Sequence, residues 1–159
     1  MRRFLLAAAA LALGCAFPAA AADADEAAIV GQIERFFGAM RAQDPATIKA
    51  VLLDDTTFSA QRAGAEGFKL SRIPGKDFAE RVAGQKGLDE RMWDPVVMRR
   101  GPIAMVWAPY EFRLDGKTTH CGIDVFDMVK VDGTWRIAHL MWTQEPDGCA
   151  ELKAKRKTP

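Results

Sequence analysis

The chain has 159 residues, 22 of them basic and 21 acidic, for a formal charge of +1. So even a balance offers no basic face for nucleic acid, which excludes that class of partner. The length suits one domain behind a short leader.

The opening residues, MRRFLLAAAALALGCAFPAAAADADE, read as that leader. Arg2 and Arg3 are its positive end, Phe4 to Phe17 its apolar run, and Ala20-Ala21-Ala22 its small-residue cleavage site. A signal peptide is expected over residues 1–22, cut between Ala22 and Asp23, with the periplasm or the medium as the destination. The apolar run is too short for a membrane anchor, so no stable membrane insertion is expected after cleavage. Gly14-Cys15 resembles the end of a lipobox, but Ala12 stands where that motif usually has leucine, so a lipoprotein held at Cys15 is the lesser expectation. A twin-arginine signal is disfavoured because Phe4 follows Arg3 directly.

One domain is expected over residues 23–150. Its first helix spans Asp25 to Gln43, where Ile29, Ile33, Phe36, Phe37 and Met40 recur at intervals of three and four. Asp44-Pro45 predicts an N-cap and a second helix to about Leu53. Thr56 to Ala60 predicts a strand, and residues 62–78, rich in Gly and basic residues, a mobile loop. A third helix is expected near Lys76 to Gln85. Strands are then expected over Arg91–Arg99, Ile103–Leu114, Thr118–Val131 and Thr134–Gln144. Arg100-Gly101-Pro102, Asp115-Gly116 and Asp132-Gly133 separate them as turns. The basic end, residues 151–159, is expected to be a disordered tail. Helices followed by an antiparallel meander make the fold class α+β.

Two-residue turns at Asp115-Gly116 and Asp132-Gly133 set a register, and the register sets faces. Trp107 is then expected beside Asp124, Glu111 beside His120, and Phe126 beside His139. One face would carry Met105, Trp107, Glu111, His120, Asp124, Phe126, Met128, Ile137, His139 and Met141. The other would carry Tyr110, Cys121 and Asp127 among apolar residues. A bulge in a long strand would exchange members between faces.

On this placement His120 and Cys121 point apart and cannot share a metal, and no Cys or His spacing in the chain suits one. Asp124 and His139 share a face with Trp107, Met105 and Phe126. A carboxyl group in such apolar surroundings has its charged form disfavoured, and a nearby histidine could share acid and base duties. Asp124 and His139 are therefore the catalytic candidates, with Asp127 and Tyr110 in reserve. The structural alternative is an Asp124 that satisfies a backbone or tryptophan N–H. Trp107, Met105, His120, Phe126 and Met141 are the expected ligand-binding residues. After loss of Cys15 two thiols remain, Cys121 and Cys149, and the turn signal at Glu145-Pro146-Asp147-Gly148 could bring them into a disulfide. A pair of free thiols is the alternative.

The paired phenylalanines Phe36-Phe37, the capped second helix, and above all HCGIDVF and DGTWRI resemble the nuclear transport factor 2-like (NTF2-like) superfamily. The likeness is closest to SnoaL-like and DUF4440-like bacterial exported proteins of unknown function. It implies a cone, a strongly curved antiparallel sheet wrapped around N-terminal helices, with an apolar pocket and often a homodimer formed through the sheet. Read through the ketosteroid isomerase strand-turn-strand, VFDMVKVDGTWRI would make Asp127 the oxyanion-hole residue. A shifted turn would choose Asp124. The first helix has no tyrosine, so the isomerase itself is not implied. The expectation is a binder of a small, mostly apolar molecule, needing no cofactor. Lyase, isomerase or hydrolase chemistry is left open. The alternative is a non-catalytic dimerisation or partner-binding module.

Overall fold

The computed structural model describes residues 19–156, with side chains from residue 24. The expected leader lies outside them, apart from residues 19–22, which open α1 (Ala19–Ala42). The apolar stripe foreseen on this helix is its buried face: Ile29, Ile33, Phe36, Phe37 and Met40 are all inside. Gln43 ends the helix by taking a left-handed φ of 55°. That turn lets the Asp44 N–H reach back 2.9 Å to the Ala39 carbonyl. Asp44 then caps α2 (Pro45–Val51), its carboxylate accepting from the Thr47 N–H at 3.0 Å.

Seven strands follow: β1 (Leu52–Gly64), β2 (Gly67–Pro74), β3 (Leu88–Met92), β4 (Val96–Arg100), β5 (Ile103–Leu114), β6 (Lys117–Val131) and β7 (Thr134–Gln144). They form one sheet in the order β2-β1-β7-β6-β5-β3, with β4 also paired to β5. Only β1 and β7 run parallel. Helix α3 (Gly75–Ala83) connects β2 to β3, and α4 (Cys149–Ala154) follows β7. The sheet curves around α1, so the fold is the expected α+β cone.

Three expectations about elements are corrected. Residues 62–78 are not a loop: β1 and β2 form a hairpin there, closing from Gly64 to Gly67. Strand β2 lies at the edge of the sheet and is almost wholly exposed, and its short alternation Phe68-Lys69-Leu70-Ser71 breaks off at Arg72. The stretch 91–99 is two strands, broken where Asp94 takes a φ of 46°. Part of the basic tail is helical, because Lys153 of α4 binds the Glu111 carboxylate at 2.8 Å.

Both Asp-Gly turns are tight, with positive φ at Asp115, Gly116, Asp132 and Gly133. The expected register holds next to each turn and then slips by one residue. Leu114 pairs Lys117 and Arg113 pairs Thr118, but Phe112 pairs His120, leaving Thr119 as an extra residue. Met128 pairs Ile137, but Asp127 pairs His139, leaving Ala138 extra. These two bulges bend the long strands, as a closing cone requires, and each exchanges the faces of the residues beyond it.

The core is aromatic. Phe36 packs edge-on to Phe58 (5.8 Å) and Phe126 (6.4 Å) and stacks on Phe78 (5.9 Å). At the opposite end of α1, Asp25 accepts from Lys130 Nζ at 2.7 Å and Trp135 Nε1 at 3.1 Å, with Arg99 at 3.3 Å. Those hydrogen bonds hold the Asp25 carboxyl below its ordinary range. Its stabilisation is therefore present above about pH 4 and lost as the pH falls. Asp25→Ala should lower the melting temperature at pH 7, with the difference from wild type shrinking in acid. A variant that melts identically at pH 7 would show that the clamp holds nothing.

Candidate functional site

The concave side of the sheet, α1 and α3 leave two adjoining cavities of about 280 and 220 Å³. They share Met40, Phe78, Phe112 and Trp142, with Arg62 and Gln144 as polar members. The walls follow from register. Phe58, Leu140, Phe126 and Val106 form one row across β1, β7, β6 and β5. Ala60, Trp142, Asp124 and Ala108 form the next. Glu90, Phe112 and His120 form a third, over β3, β5 and β6.

Two carboxyl groups meet at the deep end. Glu90 lines the smaller cavity, and Asp124, 1 % exposed, hydrogen-bonds to it from behind. Asp124 Oδ2 is buried with no N–H or O–H donor in reach, so an ionised Asp124 would be uncompensated there. Two carboxyl groups can hydrogen-bond only if a proton lies between them. Burial, and then the neighbouring Glu90 charge, hold the Asp124 pKa well above the ordinary range. Burial likewise pushes Glu90 up to about 8, against the hydrogen bond from Asp124, which lowers it. At neutral pH the site therefore presents a largely neutral acid, able to donate a hydrogen bond into the cavity.

His120 is the second polar wall group. It stacks on Phe112 with ring centres 5.0 Å apart and meets Tyr110 edge-on at 5.7 Å. Burial, and then the charge of Arg62, lower its pKa to about 4, so the ring is neutral at physiological pH. Its Nδ1 lies 2.8 Å from Thr119 Oγ1 and 3.3 Å from Gln144 Nε2. Tyr110 is committed elsewhere, its hydroxyl donating to the Thr143 carbonyl at 2.8 Å. Gly122 makes that approach possible, since a Cβ there would sit 2.0 Å from the Thr143 oxygen and 2.8 Å from the Tyr110 ring. Backbone cannot yield as a side-chain end can. Gly122→Ala should lower unfolding free energy by roughly 2–3 kcal/mol, measured by urea denaturation. An unchanged midpoint would mean the strand relaxes freely.

The sequence placed some of these residues correctly and others not. Asp124, His120 and Phe126 do share the concave face. Phe126 is in the core beneath the cavity and lines neither chamber. The grouping of Asp124 with His139 is corrected. His139 lies on the convex face, 3.7 Å from Asp127 and 3.3 Å from Ser59 Oγ, because the Ala138 bulge turned it over. The Thr119 bulge does the same to Trp107 and Met105 relative to β6. Trp107 and Met141 are about half exposed on that convex face. The reserve pair is also split, with Tyr110 inside and Asp127 outside. Cys121 and Cys149 form a disulfide, Cα to Cα 4.9 Å, that ties α4 to β6 behind the cavity wall. Glu90, Arg62, Phe112, Trp142 and Gln144 were not among the site residues expected from the sequence. For Glu90 in LDERM, an acid between charged Asp89 and Arg91, nothing local distinguishes it from a solvated residue. Among the described residues, no three His, Cys, Asp or Glu side chains are grouped to hold a metal ion, and no helix is long and apolar enough to cross a membrane.

Residues 24–143 match the family model described as "Putative lumazine-binding". The chain belongs to that family. Solved structures similar to it include NTF2-like proteins, so this lumazine-binding-like protein has an NTF2-like fold. One is a function-unknown protein from Mycobacterium tuberculosis, with TM-score 0.67 and 17 % identity over 83 % of this chain and 78 % of that one. Another is an NTF2-like protein with a cystatin-like fold from Novosphingobium aromaticivorans, with TM-score 0.65 and 16 % identity over 85 % and 90 %. A third is an NTF2-like protein of unknown function from Silicibacter pomeroyi, with TM-score 0.59 and 18 % identity over 76 % and 96 %. At such identities the likeness concerns the fold alone. A search of curated proteins gives no match.

Proposed function

We propose that the protein binds a small, flat, ring-shaped molecule in the concave cavity. The observation that carries this reading is the aromatic lining of Phe112, Trp142 and Phe78 beside the neutral acid of Glu90. Apolar walls with a few placed polar groups are what small-molecule sites use. A fused heteroaromatic ring of the lumazine kind supplies both flat faces and a hydrogen-bonding edge for Glu90, His120 and Gln144. The test is titration of the purified protein with lumazine, followed by calorimetry. Saturable binding is expected, weakened about tenfold or more in Trp142→Ala, as loss of a stacked aromatic implies. Trp107→Phe, on the convex face, should leave it unchanged. Binding lost in Trp107→Phe and kept in Trp142→Ala would put the site on the wrong side of the sheet. Asp124 with Glu90 is the pair that would serve any acid–base chemistry here.

A second reading concerns the convex face, where Val96, Met98, Ile103, Trp107 and Met141 are exposed. Single apolar residues on a surface are ordinary, but neighbouring ones mark contact surfaces. We infer that this face pairs with a second copy, and light scattering should give twice the chain mass. Trp107→Glu should return a monomer. We also infer export, because a disulfide suits an oxidising compartment. Mass measurement of protein recovered from a periplasm should find the chain beginning at Asp23.

A further inference from the structure

Three arginines from three different elements surround the larger cavity: Arg62 on β1, Arg72 on β2 and Arg81 on α3. None lies within 4 Å of a carboxylate among the described residues. Arg41, Arg91, Arg99 and Arg113, by contrast, each have a carboxylate partner. The polar residues sharing that wall, Ser71, Gln85 and Gln144, are uncharged. The acid pair at the deep end carries little negative charge at neutral pH. Of the two acids on α3, Glu80 is taken by Lys49 and Asp77 lines neither chamber.

Like charges gathered around a low-dielectric cavity repel one another and focus a positive potential into it. A wall that supplies no counter-charge leaves room for a ligand to supply one. Guanidinium forks suit carboxylate oxygens better than any neutral group. Arg62 connects the two chambers, since it lines both and its charge acts on His120 at the inner wall.

We propose that the ligand carries an anionic substituent, held at the cavity mouth by Arg62, Arg72 and Arg81 while its flat ring lies inward against Phe112 and Trp142. The inference rests on the cavity being the binding site, and it changes the expected ligand from mostly apolar to amphipathic. It makes the mouth the determinant of specificity.

The probes are lumazine and lumazine-6-carboxylate, of nearly equal size and differing by one charge, titrated at pH 6.5 in low salt. The carboxylate should bind at least tenfold tighter. That preference should fall several-fold in 0.5 M sodium chloride. It should approach one in the triple variant Arg62→Gln, Arg72→Gln, Arg81→Gln, whose fold is checked by circular dichroism and its melt. Single variants guard against failure of the triple to fold, and each should lose part of the preference. Equal affinities for the two probes would overturn the proposal and leave the cavity reading standing. A preference that survives the arginine substitutions would overturn it too, since the charge would then act elsewhere. If neither probe binds the native protein, the cavity reading itself fails and this inference with it.

Discussion

Between pH 6.5 and 8 the folded protein should lose roughly 1–2 kcal/mol of stability through Glu90, and Glu90→Gln should abolish that part of the loss. The cause is the buried acid pair. Folded Glu90 keeps its proton until about pH 8, whereas an unfolded glutamate releases it near 4.5. Asp124 is raised in the same direction. Above the unfolded values the folded state binds more protons than the unfolded chain. Each retained proton therefore costs about 1.4 kcal/mol per pH unit as the pH rises. The contribution is complete only in acid, below the unfolded values. His120 works in the opposite direction. Its folded pKa of about 4 makes the unfolded chain the better proton acceptor between about 4 and 6.5, so its share of stability is lost as the pH falls through that window. The range above 6.5 therefore isolates the carboxyl pair. Glutamine at 90 cannot ionise, and its amide can still donate to Asp124. Urea unfolding at half-unit steps, wild type against Glu90→Gln, measures the effect. Equal slopes for the two proteins would show that Glu90 is solvated and carries no trapped proton.

The second large effect concerns the disulfide. Cys121 and Cys149 are 28 residues apart, and cross-linking a span of that length restricts the unfolded chain by an amount worth roughly 3–4 kcal/mol. Cys149→Ala should lose about that much in urea denaturation. It leaves the fully buried Cys121 as a small apolar thiol, so no new cavity forms at the strand. Dithiothreitol should destabilise the wild type by the same amount and have no effect on the variant. The ion pair from Lys153 and the hydrogen bond from Thr118 to Glu111 would remain. Burial opposes these contacts, but they hold the Glu111 pKa at about 2, so α4 keeps an electrostatic tether down to that acidity. A loss below about 1 kcal/mol would mean that this tether and the packing already fix the segment without the cross-link.

Local rules went a long way here. The apolar stripe on α1, the Asp44-Pro45 cap and the two Asp-Gly turns each depend on residues within a turn or two of one another, and each stands in the structure as expected. Strand β2 was missed because an exposed edge strand need not alternate throughout. HCGIDVF was placed rightly as strand, and its alternation survives within β6: His120, Gly122 and Asp124 face inward, Cys121 outward. What failed was the transfer of that alternation to neighbouring strands. A bulge adds one residue, and one residue reverses every side chain beyond it. Neither Thr119 nor Ala138 is a residue type that announces a bulge.

The sequence by itself determined most of the elements and the α+β class, because periodicity and turn chemistry are properties of neighbouring residues, and the cone came from the family resemblance. Only the tertiary structure decided the site. It brought Glu90 to Asp124 across the sheet, turned His139 away, and set Arg62, Arg72 and Arg81 around one opening. Those groupings follow from where a closing sheet must bend, and that is settled by the packing of the whole cone around α1.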